Sequence, residues 1–357
     1  MYLQKLSLLN FKNYAEDELI FCEKINCFVG NNGEGKTNLL DAIHYLSFCK
    51  SYFNSIDTQN ILHEMDFFIV QGTIFKGNNR DDIYCAQKKN ERKQFKLNKK
   101  EYTRFSDHIG LYPLVMISPS DSSLINEGSE FRRKYIDSVI SQFDKIYLDD
   151  LINYNKALLQ RNTLLKLFAE KRRFEKSSIE IWNQQLIILG QKIFEKRNDF
   201  IQRFIPLFQA YYSFITGQNE RVDINYQSQL ENNQYPKLIE DSLEKDRILQ
   251  YTTVGIHKDD LNFMIESYPL KKFGSQGQQK SFIISLKLAQ FEYTKNMKGF
   301  KPILLFDDIF DKLDNSRVQQ LMKLVSKNSF GQVFITDSHP ERIDLIFKEI
   351  KTEIKIF

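Results

Sequence analysis

The amino-acid sequence predicts an α/β protein in which a strand-rich head is interrupted in sequence by a compact helical arm. Three observations carry that prediction. Ile25 to Val29 is a short apolar run that leads into a glycine-rich loop and then a helical stretch with Leu39, Ala42, Ile43 and Leu46 on one face. From about Ser122 to about Thr216, glycine and proline become rare and apolar residues recur three or four apart. Leu148, Leu151, Tyr154, Leu158 and Leu165 follow that spacing, as do Trp182, Leu186, Leu189 and Ile193. From about Tyr251 onward, strand-like and helix-like segments alternate again. The expected division is a head made of residues 1–121 and 246–357 and an arm of residues 122–245.

Bulk properties narrow the class. The chain has 357 residues, 42% of them apolar and 13% aromatic, which suits a cored globular protein and not a disordered one. Its net charge of +4 is that of an ordinary solvated surface. The four cysteines, Cys22, Cys27, Cys49 and Cys85, form no CxxC pair and have no histidine cluster beside them, so reduced thiols are expected and a zinc site is not. The segment Met1 to Phe11 meets Lys5 early and alternates as a strand does, unlike a signal peptide. No apolar run approaches the roughly 18 residues that span a bilayer. A cytosolic protein without a membrane partner is expected. Gly77-Asn78-Asn79 and Asn98-Lys99-Lys100 predict hairpin turns.

The glycine-rich loop is Gly30-Asn31-Asn32-Gly33-Glu34-Gly35-Lys36-Thr37, followed by Asn38, and it matches GxxxxGK[ST] in full. Strand, loop and helix in that order are the context the motif requires. Glycines let the backbone curl so that several N–H groups point at an anion, and the following helix adds positive potential. Lys36 supplies a charge for the outer phosphates, and the Thr37 hydroxyl suits Mg²⁺. The cofactors expected are ATP and Mg²⁺.

The apolar run Ile303-Leu304-Leu305-Phe306 ends on Asp307-Asp308 and predicts a buried parallel strand. Acids at its carboxyl end project into the crevice where α/β ligands bind. Asp307 is expected to hold Mg²⁺, directly or through water, and Asp308 to polarise the attacking water as a base. Between the two sites, Ser275-Gln276-Gly277-Gln278 precedes a helix bearing Phe282, Ile283, Leu286 and Ala289 on one side, so it is either a second anion-recognition element or a simple helix cap. Thr252 to Asp260, TTVGIHKDD, has no role that its chemistry alone dictates.

The order of these motifs resembles the ABC-type ATPase heads of the SMC and RecF group, and several details resemble the RecF family within it. Leu9-Asn10-Phe11-Lys12-Asn13-Tyr14 is similar to the family's NFRNY element, and Thr37 to Ile43 to its TNLLEAI. Ser118-Pro119-Ser120-Asp121 with Arg132-Arg133-Lys134-Tyr135-Ile136-Asp137 resembles its SPED and RRxxLD pair. Gly255 to Asp260 resembles GPHRDD, and Ser275 to Lys280 is nearly SQGQQR. The resemblance covers the whole length. The family's Arg soon after Lys50-Ser51 is replaced within Tyr52-Phe53-Asn54, and Ile256 stands where proline is usual. His339, in Asp337-Ser338-His339, is a candidate switch histidine by the same resemblance.

The resemblance implies a head-to-tail homodimer driven by ATP. Each nucleotide then lies between one chain's loop and the other's Ser275–Gln278 signature. It implies binding to duplex DNA and gap junctions, cooperation with RecO and RecR in placing the RecA recombinase, and slow, DNA-dependent ATP hydrolysis as a reset. The roughly 100-residue insertion, with no cysteine beyond Cys85, is too short for the coiled coil and CxxC hook of SMC-type relatives.

For DNA contact, the residues offer Lys88, Lys89, Lys93 and Lys96 within a basic stretch from Gln87 to Phe105. A phosphate-binding face and a solvated hairpin fit that stretch equally. Lys171-Arg172-Arg173 in the arm either lines the cleft between arm and head or, the plainer reading, is simply solvated. A transporter ATPase subunit would share the loop and signature but leaves the long arm unexplained. A small-molecule kinase would share the loop alone.

Overall fold

The computed structural model describes residues 1–217, 220–310, 315–326, 329–339, 341 and 353–357. The strands and α-helices in chain order are β1 (Tyr2–Phe11), β2 (Tyr14–Ile20), β3 (Ile25–Val29), α1 (Lys36–Phe48), β4 (Phe67–Lys76), β5 (Asn79–Lys88), β6 (Gln94–Leu97), β7 (Lys100–Glu101) and β8 (Leu114–Ile117). There follow α2 (Ser123–Asn126), α3 (Ser129–Ser141), α4 (Lys145–Lys171), α5 (Lys176–Thr216), β9 (Val222–Gln227), α6 (Tyr235–Asp241), α7 (Leu243–Leu249), β10 (Asp260–Ile265), β11 (Tyr268–Pro269) and α8 (Leu270–Phe273). Last come α9 (Gln276–Lys298), β12 (Ile303–Asp307), α10 (Asn315–Ser326), β13 (Val333–Asp337) and β14 (Ile354–Ile356). No helix among the described residues is long and apolar enough to cross a membrane.

The chain forms two compact units. The first comprises Met1–Ser122, Ala210–Gln218 and Gln276–Phe357. It holds a parallel sheet of order β14-β3-β13-β12-β8 and an antiparallel sheet of order β2-β1-β4-β5-β6-β7. The parallel strands are apolar on both faces because both are covered. Phe28, Leu114, Leu305 and Phe334 share a core with Leu39, Leu40 and Ile43 of α1. Ile25, Val115, Leu304 and Phe306 share another with Ile284, Leu288 and Phe291 of α9. The antiparallel sheet buries one face only, with Leu6, Leu8, Phe68 and Ile83 in the α1 core, so its strands alternate. Both expected hairpins form. Lys76 pairs with Asn79, and Leu97 pairs with Lys100 across Asn98 and Lys99, which both take the positive φ (50° and 69°) of a type I′ turn.

The second unit comprises Ser123–Gln209 and Asn219–Ser275. The expected helices are present, and so is a three-stranded sheet of order β11-β10-β9. This places the 246–275 segment differently from the expected division. Asp260 to Ile265 ladders against Val222 to Gln227 over six residue pairs, so the backbone hydrogen bonds of that segment lie within the arm unit.

Candidate functional site

The loop from Gly30 to Gly35 joins β3 to α1 at the carboxyl end of the parallel sheet. Gly35 caps α1 with φ 105°, and a Cβ there would lie 2.4 Å from Asn13 Nδ2, so glycine is required twice over. Neighbouring side chains fix the loop from outside. Tyr14 OH donates to Gly35 O at 3.2 Å, Asn13 Nδ2 to Glu34 O at 3.2 Å, and Asn38 Nδ2 to Asn13 Oδ1 at 2.7 Å. Asn31 Nδ2 donates to Glu34 Oε1 at 3.1 Å. Lys36 Nζ donates to the loop's own carbonyls, Gly30 O at 2.5 Å and Asn31 O at 2.7 Å. Its ammonium is therefore held over the loop that the motif assigns to phosphate.

Strand register brings the acids to the same point. β12 lies between β13 and β8 in the sheet, and Thr37 Oγ1 donates to Asp307 Oδ1 at 2.7 Å across 270 residues of sequence. Two further hydroxyls complete the cage. Thr336 Oγ1 donates to Asp307 Oδ1 at 3.0 Å, and Ser118 Oγ to Asp307 Oδ2 at 3.1 Å. Burial raises the Asp307 pKa, the three hydroxyls work against that rise, and neighbouring Asp308 adds to it. Asp308 has φ 46°, and its N–H donates to Thr336 Oγ1 at 3.0 Å. Its Oδ1 is buried with no hydrogen-bond partner among the described residues. An unsatisfied buried carboxylate oxygen beside a second acid is a costly arrangement that calls for a bound donor. Thr37 and Asp307 are hard oxygen donors of the kind Mg²⁺ takes, so the residues present fit the metal and nucleotide expected of them.

Ser275 is exposed and immediately precedes α9. A Cβ on Gly277 would come within 2.7 Å of the Arg317 guanidinium, which would have to shift to admit it.

The model for the RecF/RecN/SMC N terminal domain matches residues 2–352. The DNA replication and repair protein RecF of Flavobacterium johnsoniae is 53% identical over 357 residues, spanning 100% of this chain and 99% of that protein. The chain belongs to the RecF family. RecF of Bacteroides fragilis is 50% identical over 358 residues, covering 100% of this chain and 96% of its own length. A solved RecF structure, described as RecF-ATP in the RecFOR pathway, superposes with a TM-score of 0.89 at 31% identity, over 95% of this chain and 92% of that one. An Smc head domain from Pyrococcus furiosus matches at TM-score 0.55 and 19% identity, over 95% of this chain and 90% of its own, and shares the fold. The chain thus has the ABC-type ATPase fold that its motif order predicted.

Asp121 is buried, accepts from Ser118 N at 2.8 Å and pairs with Lys287 of α9 at 2.7 Å. Tyr52, beside the family's missing Arg, donates to Asp121 and accepts from Lys287 Nζ at 2.9 Å. A polar route therefore runs from α9 through Asp121 and Ser118 to Asp307. Thr336 and Lys287 were not singled out from sequence. A polar residue ending a buried apolar strand was the available signal for Thr336; Lys287, inside a buried helix, offered none.

The basic hairpin is only partly the face expected. Lys93 turns inward, donating to Cys49 O at 2.7 Å and pairing with Asp57 Oδ2 at 2.6 Å, with its side chain 10% exposed. The ammonium expected to meet DNA there is already neutralised by Asp57. Lys88 and Lys89 pair with Glu91 and Asp66 at the surface, and Lys96 lies elsewhere on the sheet. His339 is exposed at the end of β13, with Ser338 Oγ 3.0 Å from Nδ1.

Proposed function

We propose that this chain is an ATP-switched DNA-binding protein of recombinational repair. It dimerises head to tail on ATP, binds duplex and gapped DNA, assists RecO and RecR in loading RecA, and resets by slow hydrolysis. The observation that carries the reading is the meeting of Thr37 with Asp307 at 2.7 Å, beside a buried Asp308 oxygen without a partner among the described residues. The names of the relatives, DNA replication and repair protein RecF, and of a RecF-ATP structure in the RecFOR pathway support it.

Gly30 to Asn38 would receive the nucleotide, whose phosphoanhydride and Mg²⁺ supply the reactive bond and its charge neutralisation. Lys36 would exchange two loop carbonyls for the outer phosphates. Thr37 would turn its oxygen toward the metal while still donating its proton to Asp307. Asp308 would orient water through its unsatisfied oxygen. Ser275 to Gln278, at the start of α9, would close on the partner chain's nucleotide.

The deciding experiment mixes two variants. Ser275→Arg should still bind ATP but fail to dimerise or hydrolyse it, because its own loop is intact and the cation blocks head approach. Lys36→Ala should lose nucleotide affinity by ~2–3 kcal/mol. The mixture retains one intact composite site per heterodimer and should recover hydrolysis. Normal dimerisation and turnover of Ser275→Arg alone would sink the head-to-tail model.

A further inference from the structure

The four lysines expected to contact DNA do not share a face, and the tertiary structure assembles a different cation set. A concavity of about 480 Å³ lies on the antiparallel sheet and is lined by Lys5 of β1, Arg80 of β5, Lys96 of β6 and Lys99 of the β6–β7 turn. Register explains the grouping. Lys5 pairs with Thr73, and Thr73 with Asp82; one pleat along, Ser7, Gln71, Tyr84 and Lys96 are in line. Residues two apart share a face, so all of these sit opposite the buried Leu6, Val70, Ile83 and Phe95.

The electrostatics of this face suit a polyanion. No ion pair joins Lys96 or Lys99 to a carboxylate among the described residues, although Glu101 of β7 lies opposite Lys96 in the ladder. Asp82 accepts from Thr73 Oγ1 at 2.8 Å and from Arg80 Nη2 at 3.2 Å, so it orients the guanidinium as well as partly neutralising it. Lys5 pairs with Glu18 at 2.8 Å, but the side chains are 40% and 57% exposed, and such pairs are weak and readily exchanged. With strands ~4.8 Å apart and ~3.4 Å per residue, the cations span roughly 14 Å in each direction. That is about four phosphates along one strand of a duplex and more than one nucleotide offers. Lys96 Nζ lies 5.3 Å over the ring of Tyr84, the one aromatic residue lining the cavity, so this face has no open platform for stacking a base.

We propose that the exposed face of β1, β4, β5 and β6 receives the phosphate backbone of duplex DNA, without reading sequence, through Lys5, Arg80, Lys96 and Lys99. The proposal rests on the DNA-binding part of the function above and assigns its surface.

The test uses the full chain with ATP and a 30-base-pair duplex, titrated by fluorescence anisotropy over a salt series. Replacing Arg80, Lys96 and Lys99 together by Gln should lower the slope of log affinity against log salt by two to three units, at ~0.9 per phosphate contact. ATP-dependent dimerisation should be unchanged. Lys96→Arg with Lys99→Arg should keep the wild-type slope. An unchanged slope in the triple Gln variant would overturn the proposal, as would a slope carried by Lys88→Ala with Lys89→Ala. Saturable binding of a second ATP at this face, lost in the triple variant, would also overturn it in favour of a nucleotide site. A wild-type protein that dimerises on ATP yet binds no duplex would overturn the DNA-binding reading itself, a result distinct from the others.

Discussion

Two stretches of this chain are equally dense in polar residues and motif-like in sequence, yet the structure treats them in opposite ways. In the head, Gly30 to Thr37 leaves its chemistry open. Among the described residues, Lys36 is bonded to its own loop carbonyls, Asp307 is held by hydroxyls and not by a cation, and one Asp308 oxygen is buried without a partner. In the arm, Thr252 to Asp260 has its acids paired to arginines, although Asp259 Oδ1 is, like the Asp308 oxygen, buried without a partner among the described residues. Asp259 pairs at 2.8 Å with Arg197, which also grips Asp137, and Asp260 takes Arg132 Nε at 2.7 Å. Arg161 pairs with Asp246, which accepts from Thr253 N. Gly255 has φ 124°, and a Cβ there would fall 2.2 Å from Tyr235 OH. His257 Nδ1 lies 2.9 Å from Tyr154 OH, and burial lowers its pKa to about 4. The stretch without an evident chemical role is thus a polar tie inside the arm. A motif whose charges meet one another builds structure, and a motif whose charges lack counterparts awaits a ligand.

That contrast can be broken most forcefully at the acids. Asp308→Asn should lower ATP turnover by 10²–10⁴-fold, the usual range for a lost general base. ATP-bound dimers should accumulate, and resistance to denaturant should hold or rise because an unsatisfied carboxylate is removed. Wild-type turnover would assign the base elsewhere; a large loss of stability would make Asp308 structural.

Arg197→Met is the converse. It strands two carboxylates, Asp137 and the buried Asp259, so urea unfolding should show a loss of about 3–5 kcal/mol. Nucleotide affinity of the protein that remains folded should be unchanged. A loss below about 1 kcal/mol would mean that the arm cluster is not the tie described.

The effect spread over the most residues, and smallest at each of them, is one of pH. Burial lowers His44, His108 and His257 to about 4, two of them in the head and one in the arm. Between about 6.5 and 4 the unfolded chain binds protons that the folded chain refuses, so stability falls as pH falls, by about 2 kcal/mol per histidine at pH 5. Asp307 acts in the other direction, because its raised pKa makes protonation favour the fold. Comparing unfolding midpoints at pH 7 and pH 5 measures the sum, and His257→Gln should flatten the dependence. A midpoint indifferent to pH in that window would show these histidines to be solvated.

The α/β class, the glycine-rich loop, the strand that ends on Asp307-Asp308 and the helical insertion could all be read from residue order. Each is local: periodicity selects strand or helix, and the loop needs glycines and a lysine at set spacing. Local chemistry could not say which side of a strand meets solvent, or which distant strand lies beside it. Lys93 and Lys96 look alike in sequence, but Lys93, just ahead of β6, is turned in against Asp57, and Lys96, within β6, stands on the open face. Likewise Ser118, Thr336 and Thr37 converge on Asp307 only because β8, β12, β13 and β3 lie together in one parallel sheet. Sequence alone set what each segment could become. Which polar groups found partners, and which were left for a ligand, was decided by strand register and sheet order, because hydrogen bonds and ion pairs act over a few ångströms in space however far apart their residues lie along the chain.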